Sequence, residues 1–145
     1  MKRCWPLLLL VTSLLLGGCG QPVAMGAAPP RSVEGRTINA VATVGMIADL
    51  VQNIGGERVS VTALMGPGVD PHLYKASAGD VPKLDRADII FYGGLELEGR
   101  MTAIFEKLAR RRPTVAVSDE VPRERLRQPP EFEGKYDPHI WFDVT

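Results

Sequence analysis

The stretch that decides the fold is Val59-Ser60-Val61-Thr62-Ala63-Leu64-Met65-Gly66-Pro67-Gly68-Val69-Asp70-Pro71-His72. Its first half is β-branched and mostly apolar, which predicts a strand. The strand runs directly into a loop rich in glycine and proline that carries His72. Proline fixes its own φ and pushes the preceding residue towards extended backbone, so we expect this loop to aim the imidazole.

The chain has two histidines, and both have the same setting. Val69-Asp70-Pro71-His72-Leu73-Tyr74 is repeated as Tyr136-Asp137-Pro138-His139-Ile140-Trp141, so each histidine reads Asp-Pro-His, then a branched aliphatic residue, then an aromatic one. A single histidine is more often a surface or structural residue than a ligand. The duplicated context favours a metal site with His72 and His139 as ligands.

The neighbours of each histidine have two readings. Asp70 and Asp137 can orient an imidazole from behind, or can simply form the turn before proline. Tyr74 and Trp141 can shield the metal from water, or can be ordinary packing residues.

Outward from this stretch, the chain alternates strand and helix signals. Strands are predicted at 38–43, 59–65, 89–92 and 114–117, and helices at 46–54, 78–86 (capped by Ser77, with Asp80 imitating a capping box) and 97–111. This order predicts an α/β fold with a mainly parallel four-stranded sheet and helices on both faces. Ligands of such sheets gather at the carboxyl ends of the strands, where His72 is expected.

The first residues read as a processing signal. Lys2 and Arg3 precede an apolar run from Trp5 to Leu16, too short to span a bilayer, and Gly17-Gly18 lead to Cys19. This resembles a bacterial lipoprotein signal, with an ordinary secretory signal as the alternative. We therefore expect a signal peptide at 1–18, a flexible tether with lipidated Cys19 at 19–36, and an α/β lobe at 37–145.

Charge and cysteine content exclude several kinds of protein. Without residues 1–18 the chain carries 15 basic and 17 acidic residues, a net charge of about −2, which does not favour nucleic-acid binding. The clusters Arg110-Arg111-Arg112 and Arg123-Glu124-Arg125 are interpreted as a solvated helix end and a mixed-charge loop. Cys4 falls in the signal and Cys19 at the lipid site, which excludes a disulfide and a thiolate metal site.

The metal must then be held by imidazole and carboxylate groups. Zinc usually takes at least three protein ligands, so two histidines leave the site incomplete. Glu98 and Asp143 are possible further ligands, although neither has a distinctive spacing.

These residues resemble the substrate-binding lipoproteins of bacterial zinc and manganese ABC importers, which include adhesin-type lipoproteins. The resemblance runs from about Ile38 to Asp143, and its most specific parts are 53–59, 66–74, 87–92 with 95–98, and 137–143. It implies that His72 and His139 are metal ligands from an N-terminal lobe. It also implies a monomeric, lipid-anchored, extracytoplasmic protein that is not an enzyme, and that passes zinc or manganese to a membrane permease.

The chain departs from the family pattern in two places. Gly93-Gly94 replaces a frequent Asn-Gly, and the second lobe, which in the family supplies the remaining ligands, is expected to be absent. Ser118 to Lys135 lacks the histidine-rich loop of zinc-specialised members, which slightly favours manganese or mixed specificity. An exported metalloenzyme with an open two-histidine site and a non-functional or adhesion fragment are the alternatives.

Overall fold

A computed structural model describes residues 32–142. The predicted signal peptide, Cys19, most of the predicted tether and Asp143 lie outside these residues. The four strands are β1 (Ile38–Ala42), β2 (Val59–Ala63), β3 (Ile89–Tyr92) and β4 (Thr114–Ala116). All neighbouring strands are parallel, in the order β2-β1-β3-β4.

Three α-helices connect the strands: α1 (Gly45–Gly55), α2 (Asp80–Arg86) and α3 (Thr102–Ala109). Short 3-10 turns lie at 56–58, 99–101, 123–125, 130–132 and 140–142. The connection from β1 to β2 runs in one direction across the sheet, and those from β2 to β3 and from β3 to β4 run in the other. Right-handed crossovers therefore place α1 on one face and α2 and α3 on the other. The predicted α/β class and parallel four-stranded sheet are confirmed.

The core forms on both faces of β1. Val41 and Ala42 point to opposite faces, yet they are only 3% and 0% exposed. The stripe predicted for the third helix is also buried, at Leu97, Met101 and Phe105. The α-helix itself begins later than predicted, because the chain passes through a turn and a 3-10 segment before Thr102.

Helix α1 buries less of its apolar stripe than the sequence suggests. Ile47 is buried and Val51 packs against the core, but Met46, Leu50 and Ile54 are exposed, Ile54 by 86%. Residues four apart lie on one line of a helix, so these three form a single row that points away from the sheet. Among the described residues, no helix is both long and apolar enough to cross a membrane.

Two arginines, which precede β1 and β4, attach the chain to neighbouring elements through hydrogen bonds. Arg36 makes a two-pronged ion pair with Asp88 at 2.7 Å, and Asp88 also accepts the backbone N–H of Asn39. Arg36 was predicted to be the last tether residue, but this pair attaches it to the sheet. Arg112 donates to the carbonyls of Leu84 and Ala87 and so satisfies the end of α2.

Candidate metal centre

A tight turn starts the loop that carries His72. The N–H of Val69 donates to the carbonyl of Gly66 at 3.3 Å, with Pro67 and Gly68 between them. Gly68 has a φ of 78°, and proline followed by such a residue is the pattern of a type II turn. A side chain at position 68 would strain the turn, so the glycine is required for the direction in which the chain leaves β2.

Each Asp-Pro-His unit forms the same local turn. The backbone N–H of His72 donates to Oδ1 of Asp70 at 2.8 Å, and that of His139 donates to Oδ1 of Asp137 at 3.0 Å. An aspartate that accepts the N–H two residues later closes an Asx turn. Both aspartates therefore act as turn formers.

The fold brings the two imidazoles together although 67 residues separate them. Their Nε2 atoms are 3.4 Å apart, and the rings meet edge-on with centroids 5.4 Å apart. Two imidazole nitrogens bound to one tetrahedral zinc ion at normal bond lengths lie about 3.3 Å apart. The observed separation therefore fits two ligands of one metal ion.

Asp137 does more than close its turn. Its Oδ1 also lies 2.7 Å from Nδ1 of His139, on the opposite side of the ring from Nε2. The carboxylate accepts a hydrogen bond from the N–H at Nδ1, which leaves the lone pair on Nε2 and aims it at His72. The backbone N–H of His139 lowers the pKa of Asp137, and the ring contact adds to this against the opposing effect of burial.

Asp70 has no equivalent ring contact. Within residues 32–142, the hydrogen bond that Asp70 accepts comes from the backbone of His72 and not from its imidazole. His72 is also exposed, whereas His139 is half-buried. The two repeats thus share a backbone turn and differ in how firmly each ring is held.

Aromatic side chains surround His139. Trp141 meets its ring edge-on at 5.2 Å, and Phe132 lies 6.4 Å away. Trp141 is therefore placed at the site. Phe132 is a neighbour that the sequence did not reveal, since it lies in a segment without periodicity.

Tyr74 belongs to a different network. Its hydroxyl donates to Oδ2 of Asp80 at 2.6 Å, and Asp80 also accepts the backbone N–H and the hydroxyl of Ser77. Lys83 donates to the other carboxylate oxygen. Ser77 was predicted to be the N-cap of this helix; instead α2 begins at Asp80, and the Ser77 hydroxyl donates to Asp80. One of the two hydrogen bonds of the predicted capping box is present, since the Asp80 carboxylate accepts the backbone N–H of Ser77.

The charges of this network shift two pKa values. Burial, together with the hydrogen bond to Asp80, raises the pKa of Tyr74 to about 12. Burial alone would raise the pKa of Asp80, but the hydrogen bonds from Tyr74, Ser77 and Lys83 outweigh it and hold that pKa well below its usual range. Asp80 is thus a carboxylate that fixes the chain just after the first repeat.

Glu98, considered above as a third ligand, is used elsewhere. It is 2% exposed, and its Oε1 accepts the hydroxyl of Thr43 at 2.5 Å and the N–H of Gly93 at 2.8 Å. These bonds join the carboxyl ends of β1 and β3 beneath the surface. Glu98 therefore has a structural role through Oε1, and its possible role as a ligand stays a prediction.

The paired histidines open into a cavity of about 790 Å³. Its walls are the start of α1, the loop after β2 and the second repeat, including Met46, Met65, Pro67, Asp70 and Trp141. A second cavity of about 470 Å³ lies behind His139 and is lined by Arg125, Arg127, Asp137 and Phe142 among others. The first cavity is lined by both imidazoles and is the one a cation would enter.

Within residues 32–142, no cluster of three or more histidine, cysteine or acidic side chains is arranged to hold a metal ion. An ion bound between His72 and His139 would therefore need further ligands from outside these residues or from solvent. Asp143 lies outside the described residues.

The sequence of this chain matches a known protein family. Residues 40–145 match the sequence profile of ZnuA, the periplasmic component A of a zinc-uptake complex. The chain belongs to the ZnuA family. The resemblance read from the sequence is thereby confirmed.

Two curated members of the ZnuA family show how far the similarity reaches. The manganese-binding lipoprotein MntA of Bacillus subtilis is 44% identical over 136 residues, covering 93% of this chain and 42% of that protein. The zinc-binding protein TroA of Treponema pallidum is 53% identical over 105 residues, covering 72% of this chain and 33% of that protein.

Solved structures of the ZnuA family have the same fold. The periplasmic zinc-binding protein TroA matches with a TM-score of 0.69 and 50% identity over 74% of this chain and 38% of its own. A manganese-bound periplasmic protein of Candidatus Liberibacter asiaticus matches with a TM-score of 0.64 and 28% identity, over 74% of this chain and 39% of its own. The chain spans between about one third and one half of the length of the curated relatives it matches.

Proposed function

We propose that this chain provides the two-histidine half of a metal-capturing site in a substrate-binding lipoprotein of a zinc or manganese ABC importer. The ion is cargo: His72 and His139 hold it until it passes to a membrane permease. The 3.4 Å separation of the two Nε2 atoms is the observation that carries this proposal.

The roles of the neighbouring residues follow from their contacts. Asp137 orients His139 through Nδ1, and Trp141 packs on the same ring and limits water access. Asp70 contributes the turn that aims His72. The relatives named above are binding proteins rather than enzymes, which supports transport over the metalloenzyme alternative.

We further propose that the protein is a monomer held at the outer face of a cell membrane by lipid on Cys19. The lipoprotein relatives support this placement. Cys19→Ser should release the protein from membranes washed with salt at about 1 M, which removes purely electrostatic binding; a variant that stays on the washed membranes would contradict the anchor.

Calorimetric titration tests the metal site. We expect zinc or manganese to bind the purified chain with a single-site isotherm, and His72→Ala and His139→Ala each to abolish it, since neither imidazole alone chelates the ion. Lys75→Ala is the matched control, because Lys75 is exposed and lies in the same loop as His72. Binding that survives both histidine substitutions would overturn the proposal.

A further inference from the structure

An arginine precedes every strand of the sheet. Arg36 lies two residues before β1, Arg58 directly before β2, Arg86 three residues before β3, and Arg110-Arg111-Arg112 shortly before β4. Because all four strands are parallel, these arginines lie at one edge of the sheet. We call these six residues the arginine edge; it is opposite the edge where His72 leaves β2.

The sheet order arranges the arginine edge as a row. Arg58 is at one end, Arg36 and Arg86 are in the middle, and Arg110 to Arg112 are at the other end. Three strand spacings separate the two ends, a distance of about 14 Å. This width suits contact with several lipid headgroups at once.

Part of this charge is used inside the protein. Arg36 pairs with Asp88, and Arg112 pairs with Asp85. Arg58, Arg110 and Arg111 are exposed and form no ion pair within residues 32–142. Glu34 and Glu57 lie nearby and reduce the charge, so the edge keeps a surplus of about two positive charges although the processed chain is slightly negative overall.

The proposed lipid anchor enters the domain at the same edge. Seventeen residues separate Cys19 from Thr37, where the chain leads into β1. They can span at most about 60 Å. An anchor at Cys19 therefore keeps the arginine edge close to the bilayer.

We propose that the arginine edge docks on the anionic headgroups of the anchoring membrane. Guanidinium groups bind phosphate oxygens strongly, and a basic patch is attracted to anionic lipid within a Debye length of the surface. Docking turns the His72 and His139 cavity away from the bilayer, which suits capture of an ion; the domain must leave the headgroups before it passes the ion to the permease. This inference rests on the lipid anchor in the proposed function.

Vesicle sedimentation tests the docking without the lipid. The protein is the chain from residue 19 onward with Cys19→Ser, which keeps every residue that the structure describes. We expect it to bind vesicles of equal parts phosphatidylglycerol and phosphatidylcholine at low salt and not to bind pure phosphatidylcholine. Salt at about 1 M should release it, because the Debye length falls to about 3 Å.

A pair of matched double variants places the contact. Arg110→Gln with Arg111→Gln should weaken binding to the mixed vesicles about 30-fold. Lys75→Gln with Arg100→Gln removes the same charge at the opposite edge and should leave binding within about twofold of the parent. Thermal unfolding of both variants verifies that they are folded.

The outcomes separate this inference from the proposed function. Equal losses in the two double variants, or no binding of the parent protein to anionic vesicles, would overturn docking by this edge. His72→Ala should bind vesicles normally, so a failure of the metal site leaves this result unchanged. A failure of the anchor appears instead as Cys19→Ser protein that stays on salt-washed membranes.

Discussion

The two Asp-Pro-His repeats have the same backbone and different surroundings. In both, the aspartate accepts the N–H of the histidine two residues later. In the first repeat the following aromatic residue, Tyr74, is tied to a buried carboxylate, and the imidazole is exposed. In the second, the aromatic residue packs on the imidazole and the aspartate holds its Nδ1. A repeated motif thus specifies the turn, while its neighbours decide which part of the repeat is rigid.

The largest expected effect is on stability and concerns Asp80, which fixes the chain just after the first repeat. Asp80→Asn should lower the free energy of unfolding by about 2 to 3 kcal/mol, because three side chains then lose a hydrogen bond to a buried charge. The pKa of Asp80 is depressed in the folded protein, so its stabilisation is present above the unfolded value near 3.9. The gap between parent and variant should therefore be full at pH 7 and shrink as the pH falls below about 4.

Urea unfolding at several pH values measures this gap. Asp85→Asn is a suitable control, since the Asp85 side chain lies in the same helix and is largely exposed. A gap of the same size at pH 3 and pH 7 would contradict the role of the charged carboxylate.

The next effect distinguishes the two aspartates. Asp137→Ala should weaken zinc binding about 10- to 100-fold, because His139 loses the partner that fixes its tautomer. Asp70→Ala should weaken it by less than about threefold, because only the turn is lost. Competition titration with a zinc chelator measures both, and equal losses would mean that the repeats are equivalent after all.

Substitutions of the two aromatic residues should have smaller effects, one on stability and the other on metal affinity. Tyr74→Phe should lower the free energy of unfolding by about 1 kcal/mol and leave metal affinity unchanged, since it removes one hydrogen bond distant from the ring nitrogens. Trp141→Phe should leave stability nearly unchanged and weaken metal binding about 2- to 10-fold through its contact with His139. Chemical unfolding and metal titration of both variants test this separation. A variant that changes both the free energy of unfolding and the metal affinity would contradict it.

The smallest effect concerns the approach to the second repeat. Lys135 pairs with Glu96 at 2.6 Å, but both side chains are about two-thirds exposed. Solvent screens such a pair, so Lys135→Gln should not measurably change the melting temperature or the metal affinity. A clear drop in either would show that this pair holds the segment that carries His139.

The fold could be predicted from the sequence because its signals are local. The strand Ile89–Tyr92 is a continuous apolar run, and Leu97, Met101 and Phe105 have the spacing of one helix face. The pairing of His72 and His139 at one edge was suggested by their repeated setting and by the position of the first after β2. Site chemistry that depends on local repetition was thus accessible.

What could not be predicted depends on partners distant in the chain. Glu98 has no local feature that reveals its bonds to Thr43 and Gly93, because these form only once β1 and β3 are adjacent. The contact of Phe132 with His139 has the same origin. The exposure of Ile54 could not be predicted from the apolar periodicity of α1. An apolar stripe on a helix does not show how much of the helix the sheet covers.

The end position of β2 affects how this protein behaves at high concentration. Among the described residues β2 pairs only with β1, and Val59–Ala63 contains neither a charged residue nor proline. The outer edge of β2 therefore has no strand partner within residues 32–142, and it lacks the charges and proline that usually guard such an edge against pairing with another molecule. Self-association through this strand is the first form of aggregation to look for in concentrated samples, and a lysine at the exposed position of Thr62 is the simplest way to prevent it.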